Sequence, residues 1–203
     1  MFETELFERF SRINLATVFV VWVPVVLGLL YRTWSRNVLS LGLGVAIFAA
    51  GLLLWTLLEY VLHRWVFHWC DETALGRRIH FVLHGVHHDY PNDKHRLVMP
   101  LGASIPLGAV FYGLFYVTLG QTAGELLFAA VTTGYLVYDG THYAVHRFKQ
   151  TTRVGRFVKR HHMRHHHMDH GGGFGVSTPL WDLVFRTMPA VKKPVAMNAA
   201  AER

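Results

Sequence analysis

Ten of the 15 histidines fall into four spaced groups: His63 and His68 in HRWVFH, His84, His87 and His88 in HGVHH, His142 and His146 in HYAVH, and His162, His165 and His166 in HMRHH. Neutral imidazole is the commonest side-chain metal ligand. Ten of them exceed what one tetrahedral or octahedral ion can use, so two ions sharing the set is the simplest arithmetic. Successive residues of an α-helix are rotated by ~100°, which puts positions four apart on one face, so His142/His146, His84/His88 and His162/His166 are chelating pairs. His87 and His165 each stand beside a partner but ~100° around the helix, which lets adjacent imidazoles reach different ions. His63 and His68, five apart, do not share a face of an α-helix and are expected to straddle a helix end. Imidazole suits Fe, Zn, Cu and Ni alike, so ligand type alone does not name the metal.

The remaining histidines, His80, His95, His161, His167 and His170, lie outside this spacing and are read as solvated or satisfied polar contacts. Asp139, three residues before His142, is costly to bury unless paired and is expected to accept a hydrogen bond from a ligand imidazole. Glu59, four residues before His63, is a second candidate for that role, weighed against a charge that snorkels to the membrane interface. No HExxH, GxSxG, P-loop or Rossmann glycine pattern occurs. Gly171-Gly172-Gly173 lacks the strand and helix of a phosphate cradle and reads as a turn.

The elements that must position these side chains are apolar. Hydrophobic residues make up 52% of the 203 and the mean hydropathy is +0.25, more than a soluble domain usually carries. Four apolar stretches stand out, Leu15 to Tyr31, Val38 to Leu58, Leu97 to Leu119 and Leu126 to Tyr138. The first three are each about long enough to cross ~30 Å of hydrocarbon as a helix. The fourth is short, but its pattern continues past Asp139 through His142 and His146. Brief linkers at Thr33-Trp34-Ser35 and Gly120-Gln121-Thr122 pair the stretches as two helical hairpins. The expectation is an all-α integral membrane protein, four transmembrane helices under a histidine-rich helical cap, forming one domain over residues 1–189 with a disordered tail from Ala190 to Arg203.

Charge sets the orientation. Of the 20 Lys and Arg, five lie between His63 and Leu97 (Arg64, Arg77, Arg78, Lys94, Arg96) and eleven follow His146, while the third-to-fourth connection has none. The positive-inside rule then puts both histidine-bearing regions in the cytoplasm, and two intervening crossings bring them to the same side. The excess positive charge flanks apolar segments without a nucleic-acid motif, so anionic lipid headgroups, and no nucleic acid, are the expected partner. Glu3, Glu5 and Glu8 are the wrong charge for a signal peptide. The single Cys70 excludes an intrachain disulfide.

Between the histidine groups the chain reads HGVHHDYPNDKHRLVMP over His84 to Pro100, YDGTHYAVH over Tyr138 to His146 and GFGVSTPLWDLVFRT over Gly173 to Thr187. From about Glu59 to Thr187 it resembles the fatty acid hydroxylase superfamily, most of all its fatty acid 2-hydroxylases. The resemblance implies two Fe ions above a four-helix membrane domain, O2-dependent hydroxylation of a fatty acyl lipid, and ligands at His63, His68, His84, His87, His88, His142, His146, His162, His165 and His166. Asp139 carries over as the Asp of YDGTH. Many eukaryotic members begin with a cytochrome b5-like domain, whose HPGG motif is missing here, so electrons are expected from a separate cytochrome b5-like or ferredoxin-like protein. Zn is redox-inert, and a Zn-filled form would hold the fold without turning over. The rival readings are a sterol, carotenoid or alkyl-chain oxygenase with the same histidine layout, and a membrane metal-binding or transport protein. Transport is disfavoured by the uncharged interiors of the first three apolar stretches.

Overall fold

The computed structural model describes residues 12–69 and 73–190, and every regular element among them is helical. Glu3, Glu5, Glu8, Cys70 and the expected tail beyond Ala190 lie outside the described residues. Helix α1 (Leu15–Arg36) begins where the Asn14 side chain accepts the Ala16 N–H, and ends at Asn37, which adopts a left-handed conformation at φ 50°. The first linker is therefore not Thr33-Trp34-Ser35, which is helical, but the turn at Asn37 to Ser40. Asn tolerates the left-handed region that ends a helix, and Ser40 then caps α2 (Leu41–Val61) by accepting the Leu43 N–H.

Helix α5 (Leu101–Arg147) is interrupted at Gly120, where φ is 73°. The rings of Tyr112 and Phe128 lie 5.4 Å apart, whereas a straight helix would separate these residues by about 24 Å. The chain thus folds back at Gly120 into two antiparallel limbs, 101–119 and 121–147, matching the expected second linker. Gly124 makes the return possible, because a Cβ there would stand 2.5 Å from the Phe115 carbonyl oxygen. The first limb starts after Pro100 rather than at Leu97, and Leu97, Val98 and Met99 belong to the loop before it.

Helices α1 and α2 both pack on α5. Trp22 meets Phe128 and Tyr135 edge-on, and Trp55 meets Tyr135 and Tyr138. Small residues set the approach of α2, since a Cβ at Gly51 or Gly134 would come within 2.5 Å of Ala130 or Trp55. Outward-facing Val20, Leu27, Leu43, Leu53, Val110 and Val117 are exposed, so the outer wall is apolar. Among the described residues three helices, with α5 counted once, are long and apolar enough to cross a membrane. At the Gly120 end, fully buried Glu125 is held by Arg32 at 3.0 Å and Arg36 at 2.7 Å.

The opposite end carries the remaining elements. These are a π-helical turn (Leu62–Phe67) continuing α2, α3 (Ala74–His80) running into a second π-helical turn (Phe81–Gly85) and α4 (Val86–Asp89), then α6 (Arg153–His167) and α7 (Leu180–Val184).

Candidate metal centre

The π-helical turn corrects the expectation that His63 and His68 cannot share a face. The His68 N–H bonds the His63 carbonyl at 3.1 Å, an i to i+5 closure. This wider turn brings the two rings to 5.1 Å between centroids. Single π turns are rare and concentrate at functional sites. The second such turn carries His84, and α4 adds His87 and His88. His142 and His146 stand at the end of α5 as it leaves the bundle, and His162, His165 and His166 on α6.

These ten residues gather into two sets of five. One is His63, His68, His84, His88 and His165; the other is His87, His142, His146, His162 and His166. Within each set one nitrogen per ring lies within 4.8 Å of all the others. Adjacent residues part company as helical rotation requires, His87 from His88 and His165 from His166, while each i,i+4 pair stays within one set.

Closest approaches are uniform. In the first set His63 Nε2 is 3.0 Å and His88 Nε2 is 2.9 Å from His84 Nε2, and His68 Nε2 is 3.0 Å from His165 Nε2. In the second, Nε2 atoms of His87 and His166, of His146 and His162, and of His166 and His162 lie 3.0, 2.9 and 3.1 Å apart. Two nitrogens ~2.1 Å from one ion and at right angles about it would stand ~3 Å apart. Proton counting points the same way. The backbone carbonyls of Phe174, Gly172 and Leu97 accept from Nδ1 of His63, His165 and His142 at 2.6, 2.8 and 2.7 Å, so the Nε2 of these neutral rings carries a lone pair. One proton on His84 Nε2 can serve His63 or His88 but not both. One of the two close contacts is therefore left without a hydrogen bond, and a cation between the nitrogens relieves it. Both sets fit a metal ion.

Burial, with repulsion from neighbouring imidazoles, holds His84, His87 and His162 well below the usual range, and His166 likewise. His68 is lowered to about 3 and His88 to about 2 for the same reasons. Burial also lowers His165, to about 4. At neutral pH these rings are uncharged and their lone pairs are available.

The supports lie one step further out than expected. Asp139 is fully buried, yet it bonds no imidazole; the Tyr135 hydroxyl and Met99 N–H face it without reaching bonding geometry. Backbone carbonyls take the acceptor role instead, because loops can bring a carbonyl to each ring while Asp139 points into the bundle. Glu59 is buried and does not snorkel. Its carboxylate accepts the N–H groups of Val176 and Ser177, fixing the loop that presents the Phe174 carbonyl. Asp182, which the spacing argument missed, accepts the N–H groups of Phe174 and Gly175, and His161 lies 3.0 Å away. His161 is thus a satisfied polar contact, and the clue to Asp182 was its place in the STPLWD stretch. The Gly171-Gly172-Gly173 turn supplies the Gly172 carbonyl to His165; Gly173 has φ 80°, and a Cβ on Gly172 would stand 2.8 Å from the Thr187 carbonyl oxygen.

A cavity of about 490 Å³ opens beside both sets. His84, His87 and His142 line it together with Leu62, Phe67, Leu97, Met99 and Leu107. Its size suits burial of an elongated apolar ligand.

The described residues thus form an all-helical, apolar-walled protein with two five-imidazole sets able to hold metal beside an apolar cavity. The chain belongs to the fatty acid hydroxylase family, whose family model matches residues 48–187. It is 36% identical over 193 residues to the dihydroceramide fatty acyl 2-hydroxylase FAH1 of Arabidopsis thaliana, covering 95% of this chain and 81% of that protein. It is 35% identical over 210 residues to the fatty acid 2-hydroxylase of Mus musculus, covering 93% of this chain but 56% of that one. Among solved structures it resembles full-length scs7p, in which only the hydroxylase domain is visible. The TM-score is 0.87 at 35% identity, over 96% of this chain and 73% of the other.

Proposed function

We propose that the protein hydroxylates a fatty acyl chain at the carbon next to its carboxyl-derived end, using two iron ions held by the two histidine sets. The observation that carries this reading is the largely apolar cavity whose lining includes His84, His87 and His142, which have ring nitrogens in both sets. Iron bound there supplies, with O2 and electrons from a separate redox protein, the oxidising power for an unactivated C–H bond that no side chain has. The relatives named as fatty acyl and fatty acid 2-hydroxylases support the substrate class and position.

The chain's own part is to bind, orient and exclude water. Leu62, Phe67, Leu97 and Met99 hold the acyl tail away from solvent. The ligand rings are fixed from behind: His63 through the Phe174 carbonyl, His142 through Leu97 and His165 through Gly172. Leu97 couples the two tasks, since its side chain lines the cavity while its carbonyl orients His142. Neutral ligands leave bound ions with uncompensated positive charge, which attracts the polar head of the substrate towards them.

The two limbs of α5 are read as separate crossings, giving four, with the histidine end in the cytoplasm. Arg32 and Arg36 at the far end are outnumbered by the five Lys and Arg between His63 and Leu97 and the eleven after His146, which favours this orientation.

The test is lipid mass spectrometry on iron-supplied cells expressing wild type or His84→Ala. New 2-hydroxy acyl chains with wild type alone are expected. Hydroxylated sterols or carotenoids would redirect the substrate; wild type that binds iron and leaves every lipid unchanged would overturn the reading in favour of metal handling.

A further inference from the structure

A second, smaller apolar cavity of about 40 Å³ lies deeper in the bundle, lined by Trp22, Trp55, Gly108, Phe128, Thr132 and neighbours. Met99 and Leu107 line both cavities, and no other residue does. Together the cavities follow the second limb of α5 from His142 to Phe128, about 21 Å at 1.5 Å per residue. The far wall is stiff: Trp22 donates its Nε1 hydrogen to Ser104 at 3.3 Å and is wedged between Phe128 and Tyr135. Gly108 admits the indole, for a Cβ there would lie 2.6 Å from Trp22 Cη2.

We infer that Met99 and Leu107 are the specificity-determining residues for acyl length, closing the near cavity so that the tail of the longest accepted chain ends against them and the aromatic chamber stays unused. This rests on the acyl-hydroxylase reading and adds to it which chains are taken. The mechanism is simple exclusion. A chain too long for the near cavity must leave methylenes in the wrong place, and one methylene in an apolar pocket changes kcat/KM by roughly 10–200-fold. Met99 and Leu107 stand where the two cavities meet, and shortening either to Ala is expected to join them. The space gained is bounded by the fixed Trp22 wall, so the limit moves outward by a short step and then holds again.

Membranes containing the full chain are assayed with saturated acyl substrates of graded length, product being measured by mass spectrometry. Met99→Ala and Leu107→Ala are each expected to raise turnover of chains just beyond the wild-type limit by about tenfold or more, with the hydroxyl still at the same carbon. Thr132→Leu, which fills only the far chamber, is expected to leave the wild-type profile unchanged and to cancel the gain when combined with Met99→Ala. An unaltered length profile in variants that still hydroxylate would overturn the inference, as would a gain that survives Thr132→Leu. Wild type without hydroxylated acyl product would overturn the functional reading instead. The cavity claim is then decided by binding of the same fatty acids to purified protein, where it stands only if the cut-off shifts in the same variants.

Discussion

His63 and Phe174, 111 residues apart, are joined by a 2.6 Å hydrogen bond from the imidazole Nδ1 to a backbone carbonyl. No side-chain substitution removes a carbonyl, so control of this ring passes to whatever fixes residues 174–177. Glu59 and Asp182 do so, through two backbone N–H groups each.

Glu59→Leu removes the oxygen that accepts both N–H groups. Outer supports of metal ligands commonly matter by 10–100-fold, so metal affinity is expected to fall by about that factor, read by iron titration of purified protein. Unchanged affinity would show that the loop holds itself.

Asp182 gives a pH signature. Burial pushes its carboxyl up, but bonds from His161, Gly175, Phe174 and Thr187 outweigh this and hold it below the ordinary value. A depressed folded pKa adds stability that is complete above the unfolded value of about 3.9 and lost as pH falls through the folded one. The stability gap between wild type and Asp182→Asn, measured by thermal unfolding in detergent, is therefore expected to be full at pH 6 and to shrink below about pH 4. A gap independent of pH would assign the effect to packing.

Among the histidines outside the two sets, His170 comes nearest, its ring 5.2 Å from His88 and exposed. His170→Ala is expected to retain two iron ions per chain by metal analysis, whereas His88→Ala loses part of the complement. Equal losses would enlarge the ligand set.

Gly134→Val places side-chain atoms where the Trp55 Cβ already stands. Overpacking of this kind costs about 1–3 kcal/mol, and because α2 leads directly into the His63 turn, lower melting temperature and lower metal content are expected together. Loss of stability with full metal content would mean that the histidine end is independent of this crossing.

The helix content and the sorting of paired and adjacent histidines were legible because both follow from regular 3.6-residue geometry: i,i+4 pairs stay together and adjacent residues diverge. His63 and His68 broke that rule, since a π turn leaves no reliable trace in residue types and only coordinates reveal its i to i+5 closure. The Thr33-Trp34-Ser35 linker failed for a related reason: turn-like composition there is overridden by helix continuation to the left-handed Asn37. Gly120 succeeded because its φ of 73° is one that glycine adopts at little cost. The carbonyl partners of the imidazoles were invisible, being backbone atoms brought in by tertiary packing, and so was the true role of Glu59.

The partition of the histidines along the chain also imposes an order in time. Four members of the first set, His63, His68, His84 and His88, have been synthesised before the α5 hairpin begins, whereas the second set has only His87 at that stage. One site is thus nearly complete while most of the protein is still to be made, and the other acquires nothing more until both limbs of α5 are in place. His165 and His166 close the two sets from a single helix, so synthesis of α6 completes both together.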